Sequence, residues 1–323
     1  METVVLKADS ANPEPDVIRC AADVIRAGGL VAFPTETVYG LGANALSVEA
    51  VSRIFDAKGR PATNPLIVHV ADASEVFTVA SDWPASAAQL ASRFWPGPLT
   101  IVVPKREGVP DIVTAGGATV AVRCPDHAVA RALIRASGVP LAAPSANRST
   151  ELSPTRAEHV LKGLNGRIDL VLDGGPCSGG IESTVVDVTG EFPRVLRPGL
   201  ITVSMLEAVC ARVESGGVRE GVARSPGQMA KHYSPRTPLV LAEDADEVHK
   251  QLKDAGLRVI SLGYDLIYDY KFISDDPDEY AADLYALLHE LDNGQYDRIV
   301  IEMPPDEPEW AAVRDRLTRA TAS

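Results

Sequence analysis

Between residues 30 and 70, hydroxyls, cations, an amide and an imidazole gather at the ends of apolar runs. Leu30–Phe33 leads into Pro34-Thr35-Glu36-Thr37, with Gly40 and Gly42 close behind. Further on, Lys58-Gly59-Arg60-Pro61 supplies two cations and Asn64 an amide, and the run Leu66–Val70 carries His69 near its end. Guanidinium and ammonium groups match carboxylate and phosphate oxygens, and hydroxyls and amides complete the hydrogen bonds. The combination suits a small zwitterion beside a phosphate chain. The bland alternative for Lys58 and Arg60 is a helix C-terminus whose cations complement the dipole.

Three later segments add to the set. Val120–Arg123 ends an apolar run on an arginine, either a surface residue or a bidentate clamp for a carboxylate. Ala143–Ser149 follows another short strand and is dense in hydroxyl and amide groups, as a binding loop or a solvated turn would be. Gly174-Gly175 and Gly179-Gly180 flank Cys177-Ser178, where backbone N–H groups can approach an anion, and Ile181-Glu182-Ser183-Thr184 opens the next strand. Cys177 has no marked base and acid partner, so no covalent role is expected. Of the histidines, His127, His159, His249 and His289 read as surface or helix residues, whereas His69 and His232 sit in chemically suggestive settings. Walker A, GxSxG and HExxH patterns are absent, and Gly40-Leu41-Gly42 lacks the third glycine of a dinucleotide fingerprint.

The elements that must position these groups alternate. Helices are expected at Asp16–Ala27, at 47–57 behind an N-capping Ser47, at Ser86–Phe94, Ala128–Ser137 and Arg156–Lys162. Strands are expected at Leu30–Phe33, Leu66–Val70, Leu99–Val103, Thr119–Arg123, Leu141–Ala143, Leu170–Leu172, Ser183–Val188 and Arg194–Leu196. Interleaved strands and helices mean an α/β domain, and the irregular spacing with several short turns predicts an open, twisted, mixed sheet. From 201 to 237, after a short helix near Val203–Arg212, the chain turns Gly-, Pro- and Ser-rich, as a linker does. Met229, His232 and Tyr233 are unusual for a passive spacer. From 238 to 323 a second, smaller α/β pattern predicts a parallel sheet: strands at Leu239–Leu241, Val259–Leu262 and Arg298–Glu302, helices at Ala245–Ala255, Tyr280–Leu291 and Trp310–Ala320.

Bulk properties narrow the class. The 323 residues allow two domains. No apolar run is long enough to span a bilayer, and the start of the chain does not read as a signal peptide. The four cysteines are scattered, without a CxxC pair, which argues against a zinc site or disulfide framework and for a reducing, cytoplasmic setting. Net charge is −13, yet residues 1–237 carry 24 acids and 23 bases while 238–323 carry 20 acids and 8 bases. An acidic second domain is a poor platform for nucleic acid.

PTETVYGLGANA, KGRPATNPLIVHV, WPGPLT, VAVRCPDH, PLAAPSANRS, GGIESTVVDV, LRPG and SPGQMAKHYSPRTPL occur in this order. Together they resemble the threonylcarbamoyl-AMP synthase family in its two-domain form, strongly over residues 14–240. The resemblance implies a YrdC-like catalytic domain (1–200) with a mixed sheet around a deep cavity, a linker (201–237) and a small Rossmann-like domain (238–323). It implies an enzyme that joins L-threonine, bicarbonate or CO2 and ATP into threonylcarbamoyl-adenylate, releasing pyrophosphate, with Mg2+ riding on the nucleotide and no metal site of the protein's own. The product would pass to a transfer complex that modifies ANN-decoding tRNAs; stable tRNA binding and membrane association are not expected.

The family's pattern places Thr35, Thr37, His69, Arg123, Ala143 and Ser183 on threonine, Arg123 as the carboxylate clamp and Ala143 through its backbone. It places Lys58, Arg60, Asn64, Thr119, Ser145, Asn147, Ser153, Arg197 and Tyr233 on ATP, with Lys58 and Arg60 also neutralising charge on the triphosphate during reaction. Met229, His232 and Tyr233 are expected to close over the nucleotide as a lid. Two rival readings are an RNA-binding module with a concave surface, and a carbamoyltransferase making carbamoyl-adenylate from carbamoyl phosphate.

Overall fold

In a computed structural model, the described residues are 2–216, 232–264 and 266–322. The first sheet contains β1 (Val4–Lys7), β2 (Val31–Phe33), β3 (Gly40–Asn44), β4 (Ile67–His69), β5 (Leu99–Pro104), β6 (Thr119–Arg123), β7 (Leu141–Ala142), β8 (Leu170–Asp173), β9 (Thr184–Asp187), β10 (Arg194–Arg197) and β11 (Glu214–Ser215). Its order is β1-β8-β2-β3-β7-β4-β6-β5-β9-β10-β11, and parallel and antiparallel pairings are mixed through it. The mixed α/β sheet expected from sequence is therefore present. β3 falls where the sequence reading assigned no element, and its glycines face a large neighbour: a Cβ on Gly42 would lie 2.7 Å from the Phe33 ring on β2.

Helices cover both faces. Helices α1 (Pro15–Arg26) and α5 (Ala128–Ser137) pack together on one face, burying Ile18, Ala22, Ile25, Val129 and Leu133 with Val31 and Phe33. On the other, α2 (Val48–Lys58), α3 (Ala85–Phe94), α4 (Asp111–Thr114), α6 (Ala157–Leu164) and α7 (Val203–Cys210) contribute to a core around Leu41, Val68, Ile101 and Val122. Ser47 caps α2 by accepting from the Ala50 amide at 3.2 Å, and Gly59, at φ +62°, ends it in the left-handed region that glycine tolerates. That stop turns the chain from Lys58 into Arg60. The segment expected as a linker from 201 begins with α7 and β11, the latter pairing with β10.

The second sheet is parallel throughout, ordered β12 (Leu239–Ala242), β15 (Arg298–Glu302), β13 (Val259–Gly263), β14 (Tyr270–Phe272). Helix α8 (Ala245–Asp254) covers one face. Helices α9 (Pro277–Leu291) and α10 (Ala311–Thr321) lie between this sheet and the first unit. One hydrophobic cluster there joins Val38, Leu152, Ile181 and Tyr233 to Leu262, Tyr280, Leu284, Tyr285 and Leu317. Gly180 marks the contact: a Cβ on it would stand 2.1 Å from the Ala281 carbonyl of α9. No described helix is long and apolar enough to cross a membrane.

Candidate active site

Strand register brings the first set of groups level. His69 of β4 lies beside Arg123 of β6, and Arg123 lies opposite Thr100 of β5. Thr100 in turn shares a 2.8 Å hydrogen bond with the Ser183 hydroxyl at the entrance to β9. The loop after β2 closes on itself: the Thr35 hydroxyl donates to the Val38 carbonyl at 2.7 Å, receives the Thr37 and Val38 amides, and lies 2.9 Å from the Thr37 hydroxyl. A neighbouring loop is laced to it by the Leu41 amide on the Pro144 carbonyl and the Ala146 amide on the Tyr39 carbonyl.

These elements line a cavity whose empty space, about 490 Å3, is in part open to solvent. The expected threonine residues Thr35, Thr37, His69, Arg123, Ala143 and Ser183 all line it. Of the expected nucleotide residues, Arg60, Ser145, Arg197 and Tyr233 line it too. Ser153 stands behind the wall, donating to Glu182 Oε1 at 2.5 Å. Lys58 is buried behind the Ser145–Asn147 loop, its ammonium donating to the Ser145 carbonyl at 2.6 Å and the Asn147 carbonyl at 2.5 Å. Asn147 itself is turned to the Arg148 and Glu151 carbonyls and faces an adjoining cavity. The Asn64 carbonyl accepts from Arg60 Nε at 3.2 Å, away from the cavity wall, and Thr119 sits at the far end of β6 from Arg123. His232 and Tyr233 line the cavity, as a cover would; Met229 lies outside the described residues.

Charge on the wall is mostly positive, from Arg60, Arg123 and Arg197, which favours an anionic ligand. Burial, with Arg197 nearby, lowers the Arg60 pKa to about 10 against the opposing pull of Tyr233, and the group stays cationic at neutral pH. Burial and then Arg123 depress His69 to about 3, so its imidazole is neutral. Burial likewise depresses His232 to about 3. Burial and the neighbouring Arg60 carry the Lys58 pKa well below its ordinary value, with Glu151 opposing. Burial raises the Cys177 thiol to about 12, the opposite of what a nucleophile needs.

Sequence reasoning passed over two carboxylates. Glu36, inside the PTETVYG segment, lies 2.8 Å from Arg123, but the pair is poorly aligned: both Glu36 oxygens and Arg123 Nε and Nη2 lack a hydrogen bond. Glu182 lines the cavity and is held by a residue of the second sheet's layer, Arg316. An arginine on the same helical face as Val313, Leu317 and Ala320 was the available signal for it. His159, His249 and His289, read as surface or helix residues, do lie on helices, but His159 and His249 are buried there. His159 stacks on His289 at 3.9 Å between ring centroids, and His249 is fully buried with Nδ1 2.8 Å from the Ser261 hydroxyl.

Residues 23–199 match the family described as Sua5_yciO_yrdC, telomere recombination, and residues 201–322 match the threonylcarbamoyl-AMP synthase C-terminal domain. The chain is 43% identical to threonylcarbamoyl-AMP synthase of Pyrococcus abyssi over 94% of both chains. It is 42% identical to the enzyme of that name from Bacillus subtilis, over 95% of this chain and 93% of the relative. The chain belongs to the threonylcarbamoyl-AMP synthase family. In three dimensions it is similar to the crystal structure of Pyrococcus abyssi Sua5 complexed with L-threonine, with a TM-score of 0.94 and 40% identity, covering 99% of this chain and 98% of that one. The two-domain form of the threonylcarbamoyl-AMP synthases is thus shared along nearly the whole length.

Proposed function

We propose that this chain condenses L-threonine, bicarbonate or CO2 and ATP into threonylcarbamoyl-adenylate, with release of pyrophosphate. The observation that carries the reading is one cavity in which a hydroxyl, imidazole and guanidinium set meets a second set with two more guanidiniums, in a chain similar to a protein crystallised with L-threonine. Arg123 clamps the threonine carboxylate and the hydroxyls of Thr35, Thr37 and Ser183 orient the rest of the molecule. The threonine amine captures CO2, releasing a proton, and an oxygen of that carbamate attacks the ATP α-phosphorus as its bond to pyrophosphate breaks. Positioning and charge stabilisation suffice for this chemistry, without an enzyme nucleophile. Arg60 and Arg197 face the triphosphate, with Lys58 supporting the loop that carries Ser145.

Mg2+ would ride on the nucleotide, sharing the phosphate charge with Arg60 and Arg197 of the wall. Its chemistry there is neutralisation of phosphate charge. His232 and Tyr233 cover the cavity and keep water from the carbamate and the mixed anhydride. The product is handed to a transfer complex for tRNA modification in the cytoplasm. The test is pyrophosphate release from ATP and Mg2+, omitting threonine or bicarbonate in turn. Release that needs both, with a threonylcarbamoyl-adenylate mass, supports the reading. Release with neither, or only with carbamoyl phosphate, overturns it.

A further inference from the structure

Glu182 is the meeting point of the two domains. Its Oε1 accepts from the Ser153 hydroxyl at 2.5 Å; its Oε2 accepts from Arg316 Nε at 2.7 Å and from the Tyr285 hydroxyl at 3.3 Å. Arg316, on α10, has a fully buried side chain. Its Nη2 donates to the Glu182 carbonyl at 3.3 Å and the Pro198 carbonyl at 3.0 Å, and its Nη1 to Asp315 at 2.8 Å. Its guanidinium also sits 5.3 Å from the centroid of the Tyr233 ring. Three groups assigned above to the nucleotide therefore adjoin this pair: Ser153 through Glu182, Arg197 through the backbone beside it, and Tyr233 through its ring.

Taking a guanidinium and a carboxylate out of water is costly for each ion, and an apolar pair of the same shape often serves stability as well. Domain adhesion is already supplied by the apolar cluster of Val38, Leu152, Ile181, Tyr233, Leu284 and Tyr285. The buried pair has a different consequence: it fixes one anion at one point of the cavity wall. Burial raises the Glu182 pKa, but Arg316, Arg197 and the Ser153 hydrogen bond outweigh it and hold the carboxyl at about 2.

We infer that Arg316, a residue of the second domain, is a positioning residue for the nucleotide half of the site, holding Glu182 and through it Ser153, and holding directly the backbone beside Arg197 and the face of Tyr233. The inference rests on the functional reading above. It gives the second domain a direct part in ATP binding. The threonine set leans on the second domain less: Arg123 and His69 belong to β6 and β4 and Thr37 to the loop after β2, while Ser183 is the shared point, its hydroxyl bonded to Thr100 at 2.8 Å and accepting from Arg197 Nη2 at 3.2 Å.

The experiment compares Arg316→Met and Arg316→Lys in the full chain, with calorimetric titration of ATP and of L-threonine and steady-state pyrophosphate release. Arg316→Met is expected to raise the ATP Kd and KM at least about tenfold, the scale of a lost charge-assisted contact, while the threonine Kd stays within about threefold. Lysine returns the charge but not the fork, so it restores part of the ATP affinity. Should Arg316→Met lack a cooperative melt, Glu182→Gln and Arg316→Lys carry the same comparison. Equal losses for both ligands, or no loss for ATP, overturn the inference while the functional reading stands. A native chain that shows no threonine-dependent turnover overturns the functional reading itself.

Discussion

Arg123 already has a carboxylate in front of it, its own neighbour Glu36, 2.8 Å away and badly aligned. A bidentate guanidinium–carboxylate pair is much better than this contact, so a substrate carboxylate entering the cavity improves the Arg123 geometry. Replacing Arg123 with alanine is expected to raise the threonine KM by about tenfold or more, while the ATP KM changes by less than about threefold. Initial-rate measurements at saturating levels of the other substrate check this, and equal effects on both would remove Arg123 from the carboxylate role. His69 complements the clamp as a neutral imidazole, edge-on to Phe33 with 6.2 Å between ring centroids.

Strand ends and tight turns do the positioning at the next scale. β4 and β6 were legible because each is a short apolar run ending in one polar residue, and parallel pairing then set His69 beside Arg123. β3 was not legible, since two glycines in five residues give no strand signal, and only the Phe33 ring explains why no side chain fits at Gly42. The second domain's elements were readable from periodicity, but its contribution to the cavity was not, because a contact between Glu182 and Arg316 spans 134 residues. Gly180 is the corresponding element-scale test. It combines a left-handed φ of +71° with a Cβ position 2.5 Å from the Ala282 Cα, so alanine there must shift α9. Gly180→Ala is expected to lower the thermal midpoint, with a cost of about 1–3 kcal/mol. It should also weaken ATP more than threonine, as displaced Tyr285 lets go of Glu182. An unchanged midpoint would mean the two layers are not held at this point.

Buried histidines make acid the weakness of the whole assembly. Burial is the leading cause that lowers His69, His159 and His232 to about 3 and His289 to about 4, from an ordinary value of 6.5. His159 and His289 face each other across the junction of α6 and α9, so the domain contact is itself among the sensitive points. With the folded values depressed, the unfolded chain binds more protons below pH 6.5. The stability these groups allow is complete above that pH and drains away as pH falls toward 3–4. At pH 5 each such histidine has lost at most about 2 kcal/mol, 1.5 pH units at about 1.4 kcal/mol per unit. Glu182, held at about 2, adds its own loss below its ordinary value of 4.5. The thermal midpoint is therefore expected to drop by more than about 5 °C between pH 7.5 and 5.0, and the drop should be smaller in His159→Gln. A midpoint that is flat over this range would show that the histidines protonate freely in the folded chain, and that the packing between α6 and α9 is looser than the stacked rings imply.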